Sequence, residues 1–70
     1  MKVRDVIKRV EADGWYHVGT RGSHRQYKHP VKKGRTTIPG HPSDEMDPSV
    51  YNSVLEQAQI DKKQIRRKKP

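Results

Sequence analysis

The sequence predicts a small α+β domain whose elements follow the order α-β-β-β-α. An amphipathic helical pattern stands near each end of residues 1–60, and three short β-type segments separated by glycine and proline lie between them. Each helix needs an apolar surface to cover, so we expect both helices to pack on one face of a three-stranded antiparallel sheet. The other face of the sheet would then stay open to solvent or to a ligand.

The first helix is predicted from about Lys2 to Asp13. Gly14 follows it, and glycine is the residue that most readily takes the left-handed conformation in which helices end. Four apolar residues in this segment recur at the i, i+3, i+4 and i+7 spacing of one helix face: Val3, Val6, Ile7 and Val10.

A β-hairpin is predicted after the first helix. The segment Trp15 to Val18 is aromatic and β-branched enough for a strand. Gly19 and Gly22 bracket Thr20-Arg21, which we expect to form the tight turn because glycine reaches positive φ without steric cost. Trp15 is expected in the core, whereas Tyr16 is undecided between the core and a base-stacking role.

The second strand lies in residues 22–30, where basic, aromatic and histidine residues are most concentrated. Successive side chains of a strand point to opposite faces. Tyr27 would therefore face the helices, and His24 would share the other face with a cation. The open face is predicted to carry His24, Gln26, Lys28, Arg35 and Thr37.

A turn and a third short strand complete the predicted sheet. Residues 30–34 contain proline, glycine and two lysines, which is typical of a turn. Residues 35–38 form the strand, which stops at Pro39. Thr36 and Ile38 would join Tyr27 on the face toward the helices, and residues 40–44 would form a loop.

The second helix is predicted to begin at Pro48. The Asp47 carboxylate can cap free amides of the first turn, and proline at the first helical position has no donor to lose. The apolar residues of this helix and its end are Tyr51, Val54, Leu55, Ala58 and Ile60. The chain thus divides into a domain, residues 1–60, and a basic C-terminal tail, residues 61–70, which we expect to be flexible.

Composition limits the chain to one small domain. Only 29% of its 70 residues are hydrophobic, which is enough for one small core. The absence of cysteine excludes a disulfide scaffold, a thiolate metal site and a cysteine nucleophile. No apolar run approaches the roughly 20 residues of a membrane span and no apolar signal segment follows Met1, so we expect a cytoplasmic protein that does not enter a membrane.

The net charge of +8 is distributed unevenly along the chain. Residues 14–43 hold six Lys/Arg and all four histidines but no acidic residue, whereas residues 44–60 hold four acidic residues and no Lys/Arg. A folded region with this much positive charge and no acid is typical of proteins that bind a polyanion. We therefore expect a nucleic-acid partner.

Several short motifs resemble those of HicA-type toxins, the RNA-cleaving half of HicA–HicB toxin–antitoxin pairs. The resemblance runs from Val3 to about Ile60, and Gly22-Ser23-His24 is its most specific element. Family members often have glycine where this chain has Gln59, and Gly-Thr where it has Asp47-Pro48. The other matching elements are Asp13-Gly14-Trp15, Tyr27, His29-Pro30, Thr37-Ile38-Pro39, His41 and Ala58-Gln59-Ile60.

This resemblance implies a fold similar to that of double-stranded-RNA-binding domains and the activity of an mRNA interferase, an endoribonuclease that cleaves mRNA. It also implies that His24 is the catalytic histidine. A HicB-like antitoxin would cover the face that carries His24. The charge distribution predicts that the contacting surface of this antitoxin is acidic.

RNA can be cleaved without a metal or other cofactor because its own 2′-hydroxyl is the nucleophile. Histidine suits the role of general base, since a usual pKa of about 6.5 leaves a neutral base near physiological pH. We expect His24 to be this base, and His41, His29 or water to protonate the leaving group. The residues expected to bind RNA and its phosphates are Ser23, Arg25, Lys28, Lys32, Lys33 and Arg35. Among the cations of the second strand, only Lys28 shares a face with His24.

Other interpretations stay open at this stage. From composition alone, a strand histidine such as His24 is more often a surface or structural residue, and the family motif is what favours catalysis. A non-catalytic RNA-binding module would have the same fold and charge, and the basic tail would also suit a ribosome-associated protein. A metal site is disfavoured, because the histidines at 17, 24 and 29 have no thiolate and no carboxylate nearby in sequence.

Overall fold

The computed structural model describes residues 1–60, so the predicted tail lies outside the described residues. The elements are α1 (Val3–Ala12), β1 (Tyr16–Arg21), β2 (His24–Lys28), β3 (Thr36–Ile38) and α2 (Pro48–Gln57). The three strands form one antiparallel sheet in the order β1-β2-β3. The predicted α-β-β-β-α order and α+β class are therefore confirmed. Neither described helix is long and apolar enough to cross a membrane.

Both helices pack on the same face of the sheet and share one hydrophobic core with it. From the sheet, Tyr27, Thr36 and Ile38 are buried, as their alternation predicted. Neither of the two described helices covers the opposite face, which we call the open face. The helices and connecting segments contribute the remaining core residues: Val3, Val6, Val10, Trp15, Met46, Val54, Leu55, Ala58 and Ile60.

Helix α1 ends in a Schellman motif at Gly14, whose φ is +107°. The Gly14 amide donates to the carbonyl of Glu11 at 2.9 Å, and the Trp15 amide donates to the carbonyl of Val10 at 3.3 Å. Trp15 is thereby turned into the core, where its indole Nε1 donates to the carbonyl of Ala58 at 3.2 Å. The sequence pattern predicts that Trp15 starts the first strand. In the structure Trp15 instead precedes β1, because its side chain is turned into the core.

Helix α2 begins where the sequence predicts. The Asp47 carboxylate accepts hydrogen bonds from the amide of Ser49 at 2.9 Å and from its hydroxyl at 2.7 Å, and Pro48 occupies the first turn. The hydroxyl and amide of Ser49 together hold the pKa of Asp47 below its usual value. The capping carboxylate is therefore stabilised in its charged form.

Helix α2 ends in the same motif as α1, but a glutamine occupies the left-handed position. Gln59 has a φ of +57°, which is uncommon for a residue with a side chain. Its amide donates to the carbonyl of Glu56 at 3.1 Å, and the Ile60 amide donates to the carbonyl of Leu55 at 2.9 Å. Ile60 and Leu55 are both buried, so the motif also closes an apolar contact at the end of the helix.

The β1–β2 turn lies two residues later than predicted. Thr20-Arg21 continues β1, and the turn is Gly22-Ser23, with a φ of +59° at Gly22. A positive φ at the first of the two turn residues alone is typical of a type II′ turn, which suits the twist of a hairpin. A bulge between His17 and Gly19 lets β1 run on past the first glycine, so the strand is longer than its β-type residues indicated.

Candidate active site

The open face brings His24 directly opposite a cation. Arg21 on β1 and His24 on β2 are Cα partners across the hairpin, so their side chains leave the sheet on the same side. Both residues are exposed. The two-residue Gly22-Ser23 turn fixes this register, since a shift by one residue would send either side chain to the other face.

A shallow groove runs along the open face beside this pair. Its lining includes three cations and no acidic residue: Val18, Gly19, Thr20, Arg21, Gln26, Lys28 and Arg35. The guanidinium Nη1 of Arg35 donates to the Gln26 side-chain oxygen at 2.8 Å, which holds Arg35 over the sheet. Because residues 14–43 contain no Asp or Glu, this groove attracts anionic ligands.

The structure confirms the predicted composition of the open face. Lys28, Gln26 and His24 are two residues apart along β2 and therefore share one face of the sheet. Thr37 on β3 is the Cα partner of Gln26. Arg35 precedes β3 and reaches Gln26 from the neighbouring position. Of the predicted phosphate-binding cations, Lys28 and Arg35 therefore lie on the same face as His24.

Arg25 lies on the other face of the sheet. It is the Cα partner of Ile38 and Thr20. It is two residues from the buried Tyr27 and therefore shares the face of Tyr27. Burial and the negative charge of Glu11 raise the pKa of the buried Tyr27, and the positive charge of Arg25 opposes this rise. The expectation that Arg25 contacts RNA beside His24 is therefore not supported, because strand alternation directs it away.

The ammonium of Lys32 makes its contacts within the domain. It forms an ion pair with the Asp13 carboxylate and donates to the carbonyls of Ala58 at 3.3 Å and Gln59 at 3.0 Å. An ammonium has three protons, and these three acceptors account for all of them. The ammonium of Lys32 thus connects the ends of the two helices, and its contact with RNA stays a prediction.

His29 is hydrogen-bonded within the domain at both ring nitrogens, and the structure does not bring it together with His24. Its Nδ1 accepts hydrogen bonds from the amides of Val31 and Lys32, both at 3.0 Å. Its Nε2 must then carry the proton, which it donates to the carbonyl of Asp13 at 2.8 Å. The five residue steps from His24 to His29 span about 16 Å of extended chain, so the two histidines do not meet.

The remaining predicted residues lie at the edges of the site. Ser23 is in the hairpin turn next to His24, and Lys33 is exposed in the β2–β3 loop. His41 is exposed in the loop after β3, and its amide donates to the Asp44 carboxylate at 3.1 Å. Since the last residue of β3 pairs with Arg25, this loop leaves the sheet at the end where His24 lies.

His17 is a fourth histidine with a different environment. Its ring packs edge-on against Tyr27 with centroids 5.5 Å apart, and its Nε2 lies 2.7 Å from the Thr20 hydroxyl. As the Cα partner of Tyr27, it lies on the helix side of the sheet. Within residues 1–60, no three His, Cys, Asp or Glu side chains come together as possible metal ligands.

Arg21 is the main residue that the sequence interpretation missed. It had been assigned to the turn, and a turn residue has no fixed face. The signal that would have found it is the Gly-Ser dipeptide: glycine at the first position of a two-residue turn predicts the type II′ hairpin that pairs the residue before it with the residue after it. That rule pairs Arg21 with His24.

Comparison with protein families identifies the group to which this domain belongs. The model of a family described as "HicA toxin of bacterial toxin-antitoxin" matches residues 3–60, which is the whole α-β-β-β-α domain. The chain belongs to the HicA toxin family. It is therefore a toxin of the bacterial toxin–antitoxin type, and membership in the HicA family implies an antitoxin as its partner. Among curated proteins, none matches the chain.

Proposed function

We propose that this HicA family toxin is a metal-independent endoribonuclease that cleaves mRNA, with His24 as its general base. The observation that carries the proposal is the position of His24: it is exposed on the open face, directly opposite Arg21 and beside a groove lined by cations. Exposure gives a substrate access to the ring, and the cations attract the phosphate that must lie next to it.

The reaction needs one base, one acid and a site for negative charge. Neutral His24 takes the proton of a 2′-hydroxyl, the 2′-oxygen attacks the adjacent phosphorus, and the bond from phosphorus to the 5′-oxygen breaks. The departing 5′-oxygen takes a proton from the acid. The products are a 2′,3′-cyclic phosphate and a 5′-hydroxyl, so the reaction consumes no water in this step.

Three open-face cations are suited to hold the phosphate. Arg21 lies opposite His24, and Lys28 and Arg35 line the groove that continues from it. A guanidinium can donate two parallel hydrogen bonds to phosphate oxygens, whereas the ammonium of Lys28 acts as a point charge. We assign charge stabilisation in the transition state to Arg21 and binding of neighbouring phosphates to Lys28 and Arg35.

His41 or a water molecule supplies the proton for the leaving group. The loop of His41 leaves β3 at the same end of the sheet as His24, and the His41 side chain is exposed. His29, the other candidate, has both ring nitrogens hydrogen-bonded within the domain. A His41→Ala variant separates the two remaining sources, because water as the acid predicts an unchanged cleavage rate.

The antitoxin would act by covering the open face. The groove beside His24 contains Arg21, Lys28 and Arg35 and no acidic side chain, so an acidic surface on a HicB-like antitoxin is its electrostatic complement. The four acidic residues of segment 44–60 lie in the β3–α2 loop and in α2, not in the sheet. Binding should therefore weaken as salt is raised, and a complex that is insensitive to salt would indicate an apolar interface instead.

The test is cleavage of a fluorogenic single-stranded RNA by purified wild-type, His24→Ala and His17→Ala proteins, each with excess EDTA. His17 is the matched control because it is an exposed histidine of the same hairpin on the opposite face. The proposal requires cleavage by wild-type and His17→Ala, none by His24→Ala, and a cyclic phosphate on the product. Equal cleavage by all three would reveal a contaminating nuclease.

The alternative is a non-catalytic RNA-binding module, which the fold and charge fit equally well. In that case no protein of the set would cleave RNA, and His24→Ala would keep most of the RNA affinity. Cleavage that is lost in EDTA and restored by a divalent cation would instead contradict the metal-independent mechanism.

A further inference from the structure

One aromatic side chain stands out by its exposure. Trp15 and Tyr27 are each only 2% exposed, and Tyr51 is half-buried against the core, but Tyr16 is 50% exposed. Tyr16 is the Cα partner of Lys28, which places its ring on the open face with the groove cations. Among the hydrogen bonds within residues 1–60, none involves the Tyr16 hydroxyl, so this group is free to contact a ligand.

Tyr16 lies at the opposite end of the open face from the candidate base. Three cross-strand pairs follow one another along the hairpin: Arg21 with His24, Gly19 with Gln26, and Tyr16 with Lys28. The four residue steps from His24 to Lys28 span about 13 Å. A ligand that lies along the groove can therefore reach the base at one end and the aromatic ring at the other.

The middle of the groove is open because Gly19 has no side chain to fill it. A Cβ added at Gly19 would meet no atom within 4 Å, so the space above this position is free. Val18 beside it is 45% exposed and adds apolar surface to the lining of the groove. The surface thus combines an aromatic face, an open floor and cations, which are the components of sites that bind single-stranded nucleic acids.

Resting on the proposed function, we propose that Tyr16 stacks on an unpaired base of the RNA, a short distance along the strand from the phosphate cleaved at His24, while Lys28 binds the phosphate of that nucleotide. A base can stack on a protein ring only when its own face is free, as it is in single strands and loops but not inside a duplex. The charge of the groove favours RNA over an uncharged protein partner as the occupant.

The test measures kcat and KM on a single-stranded RNA for Tyr16→Ala, Tyr16→Trp and a control, Val31→Ala. Val31 is 82% exposed in the β2–β3 loop, away from β1, and removing it also deletes exposed apolar surface. Stacking by aromatic side chains predicts that Tyr16→Ala raises KM by about 5- to 150-fold. Tyr16→Trp should restore the wild-type KM, and Val31→Ala should leave it unchanged.

A second measurement uses binding alone, so that it does not depend on cleavage. In the His24→Ala background, 2-aminopurine placed in a single-stranded RNA should be quenched on binding, and Tyr16→Ala should remove the quenching and weaken affinity. The same sequence paired in a duplex should bind more weakly and should not respond to Tyr16→Ala. Circular dichroism and thermal unfolding confirm that each variant is folded.

The outcomes separate this inference from the proposed function. If wild-type cleaves, His24→Ala does not, and Tyr16→Ala leaves both KM and quenching unchanged, the stacking site is wrong and the ribonuclease stands. If Tyr16→Ala weakens only the affinity for an acidic antitoxin, the ring belongs to a protein interface and the inference is overturned. If wild-type does not cleave but Tyr16-dependent quenching persists, the stacking site holds in a non-catalytic RNA-binding domain.

Discussion

The ammonium of Lys32 and the carboxylate of Asp13 form an ion pair that connects the β2–β3 loop to the end of α1. The same ammonium donates to the carbonyls of Ala58 and Gln59 at the end of α2. Cations stabilise the C-terminal ends of helices, where free carbonyls concentrate partial negative charge. A single loop lysine thus connects the C-terminal ends of the two helices that cover the sheet.

Replacing this lysine should cost stability rather than RNA affinity. Lys32→Met removes the ion pair and two hydrogen bonds from a partly buried ammonium, and we expect the free energy of unfolding to fall by about 1–3 kcal/mol. Lys33→Met, which removes the same charge from an exposed position, should change it by no more than about 0.5 kcal/mol. Urea denaturation measures both.

RNA binding by the same two variants checks the structural assignment of Lys32. Under conditions where both are folded, Lys32→Met should bind a single-stranded RNA no more weakly than Lys33→Met does. A larger loss of affinity in Lys32→Met, with its stability unchanged, would mean that the ammonium is free to contact phosphate in solution.

The sequence predicted the elements that depend on local patterns. The stripe from Val3 to Val10, the Asp47-Pro48 helix start and the left-handed position at Gly14 each follow from the preferences of a few neighbouring residues, and each is confirmed. Alternation along β2 likewise placed Tyr27 in the core correctly. These features could be predicted because the interactions that produce them connect residues close in sequence.

The errors concern choices that only the folded chain makes. Two glycines three residues apart both suited a turn, and the bulge at Gly19 is what allows β1 to continue to Gly22. Composition likewise treats all six cations of residues 14–43 alike, but tertiary contacts give Lys32 to Asp13 and the hairpin register brings Arg21 opposite His24. The face and partner of a charged side chain depend on long-range packing, which a local pattern does not contain.

A methyl group at Gly14 should strongly destabilise the domain. The Gly14 φ of +107° is unfavourable for any residue with a Cβ, and the added Cβ would lie 2.7 Å from Nε2 of His29. That ring is held by hydrogen bonds at both nitrogens and cannot move aside without breaking them. We expect Gly14→Ala to lower the free energy of unfolding by about 2–4 kcal/mol.

Gly19→Ala is the matched control for this substitution. Gly19 has no positive φ, and its added Cβ meets no atom within 4 Å. Its replacement in a strand should leave the free energy of unfolding unchanged or raise it by up to about 1 kcal/mol. A melting temperature that drops equally in both variants would contradict the contact between Gly14 and His29.

Gln59 offers a substitution that should stabilise the protein. Its left-handed φ of +57° costs about 1–2 kcal/mol relative to glycine, whereas its side chain gains one exposed hydrogen bond, from Nε2 to the carbonyl of Lys33 at 2.8 Å. We expect Gln59→Gly to raise the free energy of unfolding by about 0.5–1 kcal/mol. Gln59→Ala keeps the backbone strain and loses the hydrogen bond, so it should lower stability, and the two variants should shift the urea midpoint in opposite directions.

Acid should weaken the start of α2. Hydrogen bonds from Ser49 hold the pKa of Asp47 below its usual value, so this carboxylate contributes stability that is fully present above about pH 4 and is lost as the pH falls through the lower folded pKa. Asparagine caps a helix without titrating. The melting temperature of Asp47→Asn should therefore decline less than that of wild-type between about pH 5 and about pH 2.5, which is the range in which carboxylates titrate. Parallel declines would exclude Asp47 as a source of the acid sensitivity.

The pairing of Arg21 with His24 predicts that two arginines of one hairpin differ sharply in function. Arg21→Gln and Arg25→Gln each remove one positive charge, but only Arg21 lies on the open face with the candidate base. Loss of a group that stabilises transition-state charge reduces kcat by about 10²-fold, so Arg21→Gln should lower kcat by roughly that factor. Arg25→Gln should leave kcat nearly unchanged, because strand alternation directs Arg25 toward the helices. Steady-state kinetics on one RNA substrate decides the question: a larger fall in kcat for a folded Arg25→Gln protein would mean that the hairpin face opposite to the one proposed here carries the chemistry.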